Sequence, residues 1–212
     1  MIILGIDPGT AMLGFGVVER TGTRLRAVDY GVIKTPSNLP LPARLESIYL
    51  ALNDLIELHH PALIGVERLF FTKNVQTAFA VGQARGVILL AAQLHCLEIR
   101  EATPNEVKVA TAGHGSASKD QVGRMVQAIL GMAEIPTPDD AADALAIAIC
   151  VGARERSISR IPVGTLDRSA LQPAPTGVTP YEQAVRDALR RERLGLSPEQ
   201  RPTRSPRSKT AS

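Results

Sequence analysis

The chain has 212 residues, a length that fits one domain with a short appendage. Hydrophobic residues make up 44% of it and aromatic residues only 3%, so aliphatic side chains must fill the core. No apolar run is long enough to span a bilayer, and the first residues lack the basic segment and cleavage site of a signal peptide. We therefore expect a cytoplasmic protein that does not enter a membrane.

Positive charge is concentrated near the C-terminus, although the net charge of the chain is only +3. Residues 1–170 contain 16 Lys and Arg against 17 Asp and Glu, whereas residues 171–212 contain 8 against 4. An argument for nucleic-acid binding must therefore rest on specific residues in the body of the chain. Cys96 and Cys150 lie among apolar residues and show no zinc-like spacing, so we predict that both are small buried thiols in a reducing cytoplasm.

The first part of the chain predicts a meander of strands, followed by a helix and a further strand. Apolar runs that are broken by Gly or Pro predict strands at residues 1–7, 13–20, 25–34 and 62–67. Leucine and isoleucine recur at helical spacing over residues 41–58, which predicts a helix before the fourth strand.

The second part predicts mostly helices. A long helix rich in Ala and Gly covers residues 74–94, and a short strand covers 96–101. Pro104 suits the first turn of a helix over residues 104–110, and Ser118 suits the cap of a helix that ends at Leu130. The last predicted helix runs from Pro138 to about Arg154.

Strands arranged first as hairpins and then in alternation with helices indicate an α/β fold with a mixed sheet. From about Gly164 the composition changes, and six prolines fall within residues 171–212 among Ser, Thr, Gln and Arg. Such a segment buries too little apolar surface to offset the entropy of ordering. We therefore predict a folded domain over residues 1–160 and a disordered, basic, Pro-rich tail over residues 161–212.

Two acidic residues follow buried strands of this predicted sheet. Asp7 ends the first strand and Glu67 ends the fourth. If these strands are parallel neighbours, both carboxylates emerge at the same edge, where functional groups gather in open α/β sheets. Two structural alternatives are a turn aspartate at position 7 and an ion pair of Glu67 with Arg68 or Arg85.

A second acidic group begins the last predicted helix. Asp139 and Asp140 are both spaced to share a helix face with Asp143, so geometry alone does not choose between them. Acids in a first helical turn are also favoured by the helix dipole. Asp143, however, is surrounded by alanines that predict close packing against the sheet, where a partly buried carboxylate needs a cation or hydrogen-bond donors.

Four carboxylates without a matching cluster of bases favour hard divalent cations such as Mg²⁺ or Mn²⁺ over zinc. Two such ions can clamp the attacking and leaving oxygens of a phosphodiester. Serine is present, but no histidine has an evident nucleophile partner, so no catalytic triad is predicted. The four histidines are His59, His60, His95 and His114.

Five motifs in one order make the chain resemble the RuvC family of bacterial Holliday junction resolvases over roughly residues 1–155. The motifs are Ile3-Leu-Gly-Ile-Asp-Pro-Gly9, Glu67 with Phe70 and Lys73-Asn74, Gly82-Gln-Ala-Arg-Gly86, Gly115-Ser116 with Lys119, and Asp140-Ala-Ala-Asp-Ala-Leu-Ala146. The resemblance implies an RNase H-like fold with a five-stranded mixed sheet flanked by helices. It also implies a homodimer that cuts two opposed strands of a four-way DNA junction.

The resemblance assigns the chemistry to particular residues. It implies that two Mg²⁺ ions, which Mn²⁺ can replace, are bound by Asp7, Glu67, Asp140 and Asp143. Lys119 is implied as a further catalytic residue, and Asp139 is an extra acid beside the motif. The resemblance further implies 5′-phosphate products and cooperation with the RuvA–RuvB branch-migration complex.

The same resemblance suggests a set of residues that contact DNA. They are Phe70, Phe71, Lys73, Asn74, Arg85, Lys108 and Lys119. Phe70 is the aromatic residue suggested to stack on bases near the crossover. The alternatives are core packing for the two phenylalanines, solvated surface positions for the lysines, and a structural role for Arg85.

Two other functions also fit parts of the chain. Asp7-Pro-Gly-Thr10 resembles the phosphate loops of actin-like and sugar-kinase ATPases, but those folds need two such lobes, for which the chain is too short. A DNA-binding module without catalytic activity is the second alternative. Loss of one acid would be its expected sign, and all four acids are present.

Overall fold

The structure, a computed structural model, describes residues 1–68 and 75–153, and of residues 75–77 the backbone alone. Its strands are β1 Ile2–Asp7, β2 Met12–Thr21, β3 Arg24–Lys34, β4 Leu63–Glu67 and β5 Glu98–Ala102. Its helices are α1 Leu41–His59, α2 Val75–Leu94, α3 Pro104–Ala112, α4 Lys119–Leu130 and α5 Asp139–Ala153. Each strand and helix predicted up to residue 153 is therefore confirmed, with ends that differ by a few residues.

The five strands form one sheet in the order β3-β2-β1-β4-β5. β1, β2 and β3 pair antiparallel because short turns connect them, and Gly22 adopts a positive φ of 62° in the second turn. β4 pairs parallel with both β1 and β5, since helices α1 and α2 return the chain to the same end of the sheet. The predicted mixed five-stranded sheet is confirmed.

Helices cover both faces of this sheet, and the alternation of side chains along each strand divides the core in two. Leu4 and Ile6 of β1 face a core that includes residues of α1 and α2. Ile3 of β1 and Leu63 of β4 face a second core that includes residues of α4 and α5. Of the described helices, none is both long and apolar enough to cross a membrane.

Helix α5 is the most deeply buried helix of the second core, with eleven buried residues. Two of its C-terminal carbonyl groups accept hydrogen bonds from arginines of the sheet. Arg20 Nη1 donates to the Gly152 carbonyl at 2.7 Å, and Arg100 Nη1 donates to the Val151 carbonyl at 2.8 Å. These bonds pair carbonyls that a helix end otherwise leaves without partners.

Side-chain caps begin the two short helices before α5. Thr103 and Glu106 form a capping box at the start of α3, and Ser118 and Gln121 form another at the start of α4. The predicted cap at Ser118 is confirmed. It fixes the position at which α4 begins, and the first residue of that helix is Lys119.

One prediction about the cysteines is wrong. Cys150 is buried in α5, but Cys96 is exposed. Cys96 lies in the turn between α2 and β5 with a φ of 55°, and its side chain is exposed although Leu97, the next residue, is buried in the core. The predicted boundary at residue 160 and the tail over residues 161–212 lie outside the described residues.

Candidate active site

The tips of β1 and β4 bring two carboxylates to one face of the sheet. The two strands are parallel and in register from Ile3 opposite Leu63 to Ile6 opposite Val66, and Asp7 and Glu67 are the next residues along. Because strand side chains alternate, both acids point to the face that Ile3 and Leu63 share with α5. The prediction that the two strand ends meet is confirmed.

The first turns of α5 bring one further acid into the same cavity and a second acid near it. Asp143 is partly buried, and it lines one cavity together with Asp7 and Glu67. Asp140 is also partly buried and contributes to the electrostatic field at Asp7, whereas Asp139 is exposed. The structure therefore favours Asp140 over Asp139 as the partner of Asp143, a choice that helical spacing leaves open.

The cavity has a volume of about 350 Å³ and combines an acidic side, a basic side and apolar walls. Asp7, Glu67 and Asp143 form the acidic side, and Lys108 and Lys119 supply positive charge. The walls come mainly from helices α3, α4 and α5 through Pro104, Val107, Val122 and Ile147. One face of α3 carries Pro104, with Val107 and Lys108 three and four residues later. This spacing is visible in the sequence, but of the three residues our prediction of the site included only Lys108.

Burial and mutual repulsion raise the pKa values of two of these acids. Desolvation is the largest single cause of the raised pKa of Asp7, which reaches about 7, and the charges of Glu67, Asp143 and Asp140 add to it. Desolvation also raises the pKa of Glu67, with the charge of Asp143 as a second cause. Negative charge at this site is therefore not compensated by the protein alone.

Lys119 is the nearest source of compensation. Its Nζ donates to Asp143 Oδ2 at 3.1 Å, and this hydrogen bond is the main cause that raises the pKa of Lys119. The Lys119 side chain remains 72% exposed, so it can reach a bound ligand as well as Asp143. A lysine at the mouth of an acidic cavity suits contact with a phosphate group.

The carboxylates fit a hard divalent cation by chemistry and by charge. All four offer oxygen ligands, and their shared field stabilises positive charge at the cavity. Within residues 1–68 and 75–153, no three acidic, His or Cys side chains already lie close enough together to hold an ion. The shared field depends little on side-chain rotamer, and the Asp143 carboxylate is turned toward Lys119, from which it accepts a hydrogen bond.

The alternative ion pair of Glu67 is not formed. Arg68 Nε lies 3.7 Å from Glu101 Oε2, and Arg85 also pairs with Glu101. Glu101 follows Arg100 on β5 and points to the opposite face of the sheet from Glu67. Desolvation lowers the pKa of Arg85, and the charge of Arg68 lowers it further. The ion pair with Glu101 gives Arg85 the structural role that was the alternative to DNA contact.

The remaining predicted DNA contacts are only partly described by the structure. Lys108 and Lys119 both line the cavity of the acids. Phe70, Phe71, Lys73 and Asn74 lie outside the described residues.

One histidine has a serine partner, although the sequence predicts no nucleophile partner for any histidine. His114 Nδ1 lies 3.1 Å from Ser116 Oγ, and both residues are exposed in the segment between α3 and α4. The other described contacts of histidine are His59 with Asp29 and His95 with Asn53.

Comparison with known proteins identifies the family. A family model described as crossover junction endodeoxyribonuclease RuvC matches residues 3–151. The protein of that name from Brevibacillus brevis is 54% identical over 149 residues, which cover 70% of this chain and 90% of the relative.

Two solved structures are similar in both fold and sequence. The Thermus thermophilus RuvC structure has a TM-score of 0.66 at 38% identity and covers 71% of this chain and 92% of its own. The structure of T. thermophilus RuvC in complex with a Holliday junction substrate has a TM-score of 0.65 at 35% identity, with the same coverage. These matches confirm the predicted RNase H-like fold and argue against the ATPase alternative. The chain belongs to the RuvC family of crossover junction endodeoxyribonucleases.

Proposed function

We propose that this chain is a Holliday junction resolvase, a metal-dependent endonuclease that makes paired, symmetric nicks in four-way DNA junctions and leaves 5′-phosphate ends. Its biological role is in homologous recombination and DNA repair. One observation carries the proposal: Asp7, Glu67 and Asp143 share a cavity with Lys108 and Lys119 in a chain of this family. Carboxylates that bind cations beside lysines that bind phosphate are the parts that phosphodiester hydrolysis requires.

The acids of the site are the proposed metal ligands. Asp7, Glu67, Asp140 and Asp143 together provide a charge that two Mg²⁺ ions balance, and Mn²⁺, which accepts the same oxygen ligands, can replace Mg²⁺. When bound, the metal supplies an activated water and stabilises the leaving oxygen. The carboxylates must be ionised for this role, so the raised pKa values of Asp7 and Glu67 return toward the ordinary range when a cation neutralises the site.

The other cavity residues hold and enclose the substrate. Lys119 lies beside Asp143 and reaches solvent, so its ammonium group can contact the phosphate to be cut. Lys108 carries a second positive charge to the same cavity. Val107, Val122 and Ile147 form apolar walls of the cavity, and a low dielectric beside these walls strengthens the electrostatic interactions within.

The partners of the enzyme follow from the requirement for two cuts. Two symmetric nicks need two active sites, so we propose a homodimer. Exposed apolar side chains on α2 support this proposal, since Phe79, Leu90 and Leu94 are each more than half exposed on one chain. The family resemblance supports action in the cytoplasm together with the RuvA–RuvB branch-migration complex.

A cleavage assay on a synthetic four-way junction tests the proposal. The unmodified protein should nick opposed strands in Mg²⁺ and not in excess chelator. Asp7→Asn should bind the junction normally but cut it at least about 100-fold more slowly, because it loses a ligand and a charge from the site. Undiminished cutting by Asp7→Asn would contradict the proposed metal site, and binding without any cutting by the unmodified protein would support a non-catalytic module.

A further inference from the structure

Helix α5 lies unusually close to the strands beneath it. Three glycines of β1 and β2 make this approach possible, since a Cβ at Gly5, Gly14 or Gly16 would collide with the backbone of α5. At Gly5 an added Cβ would lie 2.7 Å from the Ala148 nitrogen, and at Gly16 it would lie 2.7 Å from the Leu145 nitrogen. At these three positions the helix therefore rests on strand backbone and not on side chains.

Gly14 occupies a special place among the three. It pairs with Asp7 across the β1–β2 ladder, so it lies beside one acid of the site. An added Cβ at Gly14 would collide with the carbonyl oxygen of Asp140 and lie 3.2 Å from the Asp140 Cβ. Gly14 thus touches the turn that supplies a second acid, and Asp143 follows on the next turn.

We propose that Gly14 is a positioning residue of the active site, which sets the distance between the carboxylate on β1 and the two carboxylates on α5. This inference rests on the proposed function. The absence of a side chain at Gly14 lets the first turn of α5 come down onto β2 beside Asp7. Any larger residue must push that turn away, because the atom it meets is backbone and not a flexible side chain.

Other contacts of α5 would confine the displacement caused by a larger residue at position 14 to the N-terminal end of the helix. The far end of the helix is held by the hydrogen bonds from Arg20 to Gly152 and from Arg100 to Val151. Asp140 and Gly152 are twelve residues apart, which is about 18 Å along a helix. Displacement at Gly14 therefore falls mainly on the end that carries the acids.

The test compares Gly14→Ala with Gly152→Ala and Asp7→Asn. Gly152→Ala is the matched control, because it makes the same change at the opposite end of the same interface, where the added Cβ meets only the Ile3 side-chain tip at 2.6 Å. The primary readout is Mn²⁺ affinity, measured on the free protein from the electron paramagnetic resonance signal of unbound Mn²⁺. Junction affinity and cleavage rate are measured alongside it.

We expect Gly14→Ala to weaken Mn²⁺ binding by about 10-fold or more and to slow cleavage by about 100-fold, since displacement of a catalytic group by 1 Å has that order of effect. Its affinity for the junction should stay unchanged. Gly152→Ala should match the unmodified protein in all three measurements.

Several outcomes would overturn the proposal. Folded Gly14→Ala with unchanged Mn²⁺ affinity and cleavage would do so, and so would equal losses in Gly152→Ala. If Gly14→Ala unfolds, the measurements are repeated for every variant in trimethylamine N-oxide, which favours the folded state. Failure to fold there too would make Gly14 a residue of folding and not of positioning. Normal Mn²⁺ binding by Asp7→Asn would instead contradict the proposed function itself.

Discussion

Asp7 lies at the end of β1 beside three other acids, and burial is the largest single cause of its raised pKa. A carboxylate in this position is costly for the metal-free protein, because ionisation is opposed both by desolvation and by its neighbours. Lys119 offsets part of this cost through Asp143. The ionised acids of the site therefore destabilise the metal-free fold, and a bound cation relieves that cost.

The raised pKa of Asp7 predicts how stability depends on pH in the absence of metal. Its folded-state pKa is about 7 and its ordinary value is 3.8, so between these values the folded state binds more protons than the unfolded state. This group therefore lowers the free energy of unfolding as pH rises through that range. Urea unfolding in chelator from about pH 5 to about pH 8 should show a smaller decline for Asp7→Asn than for the unmodified protein.

Asp54→Asn is the control for that measurement, since Asp54 is an exposed aspartate of α1. It should follow the unmodified protein across the whole range. An equal decline in Asp7→Asn and the unmodified protein would show that Asp7 titrates normally.

Lys119 allows catalysis and metal binding to be separated. Replacement by Gln removes a charge that contacts Asp143, so Mn²⁺ affinity should stay the same or increase. Cleavage should fall by about 100-fold, the order expected when one stabilising donor is removed from a transition state. Single-turnover cleavage and Mn²⁺ titration on the same preparation measure the two effects.

Arg124→Gln is the matched control for Lys119→Gln. Arg124 is also an exposed cation of α4 with an acidic partner, Asp120 Oδ2 at 2.8 Å, but it does not line the cavity. Arg124→Gln should change neither the Mn²⁺ affinity nor the cleavage rate by more than about twofold, since exposed ion pairs contribute little. A loss of metal affinity in Lys119→Gln would contradict the role assigned to that lysine.

At the level of helices and strands, the caps decide where the residues of the site are placed. Ser118 accepts a hydrogen bond from the Gln121 backbone at 3.2 Å, and Gln121 accepts one from the Ser118 backbone at 2.8 Å. The pair begins α4 at Lys119, whose side chain reaches across to α5. Loss of the cap should therefore loosen the turn that presents this lysine.

Ser118→Ala should lower the free energy of unfolding by about 1 kcal/mol, the usual cost of a lost N-cap. Ser47→Ala is the control, because Ser47 lies inside α1 and bonds only to the carbonyl one turn before it. Ser47→Ala should leave the free energy of unfolding nearly unchanged, since Ala is the better helix former. Urea unfolding of both variants gives the comparison, and equal effects would contradict the importance of the cap.

The sequence predicted these elements well because their signals are local. Alternation of apolar residues, Pro104 and Ser118 mark where strands and helices begin, and they need no knowledge of distant contacts. The choice between Asp139 and Asp140 could not be made in this way, since both have helical spacing with Asp143. It depends on how α5 rotates against the sheet, which is set by close contacts such as that at Gly14.

Pairings between distant residues were likewise not available from the sequence. Arg85 belongs to α2 and Glu101 to β5, and only the packing of the helix on the sheet brings them together. Cys96 was predicted to be buried from its apolar neighbours, but it lies in a turn with a positive φ that leaves its side chain exposed beside the buried Leu97. Long-range packing and backbone conformation account for these differences.

For the molecule as a whole, the described part of the chain separates structural and chemical tasks across the sheet. One face carries the core shared with α1 and α2, together with the pair of Arg85 and Glu101. The other carries α5 and the cavity of the acids. The α2 surface proposed for the dimer and the proposed cutting site therefore belong to opposite layers of the fold, so that a second copy can bind without covering the site.

The most direct test of the central claim is an anomalous diffraction map of crystals grown with Mn²⁺, recorded near the manganese absorption edge. The account predicts manganese peaks in the cavity in contact with Asp7, Glu67 and an acid of α5, and no such peaks for Asp7→Asn. Manganese bound only elsewhere on the chain, with these carboxylates free of it, would contradict the account.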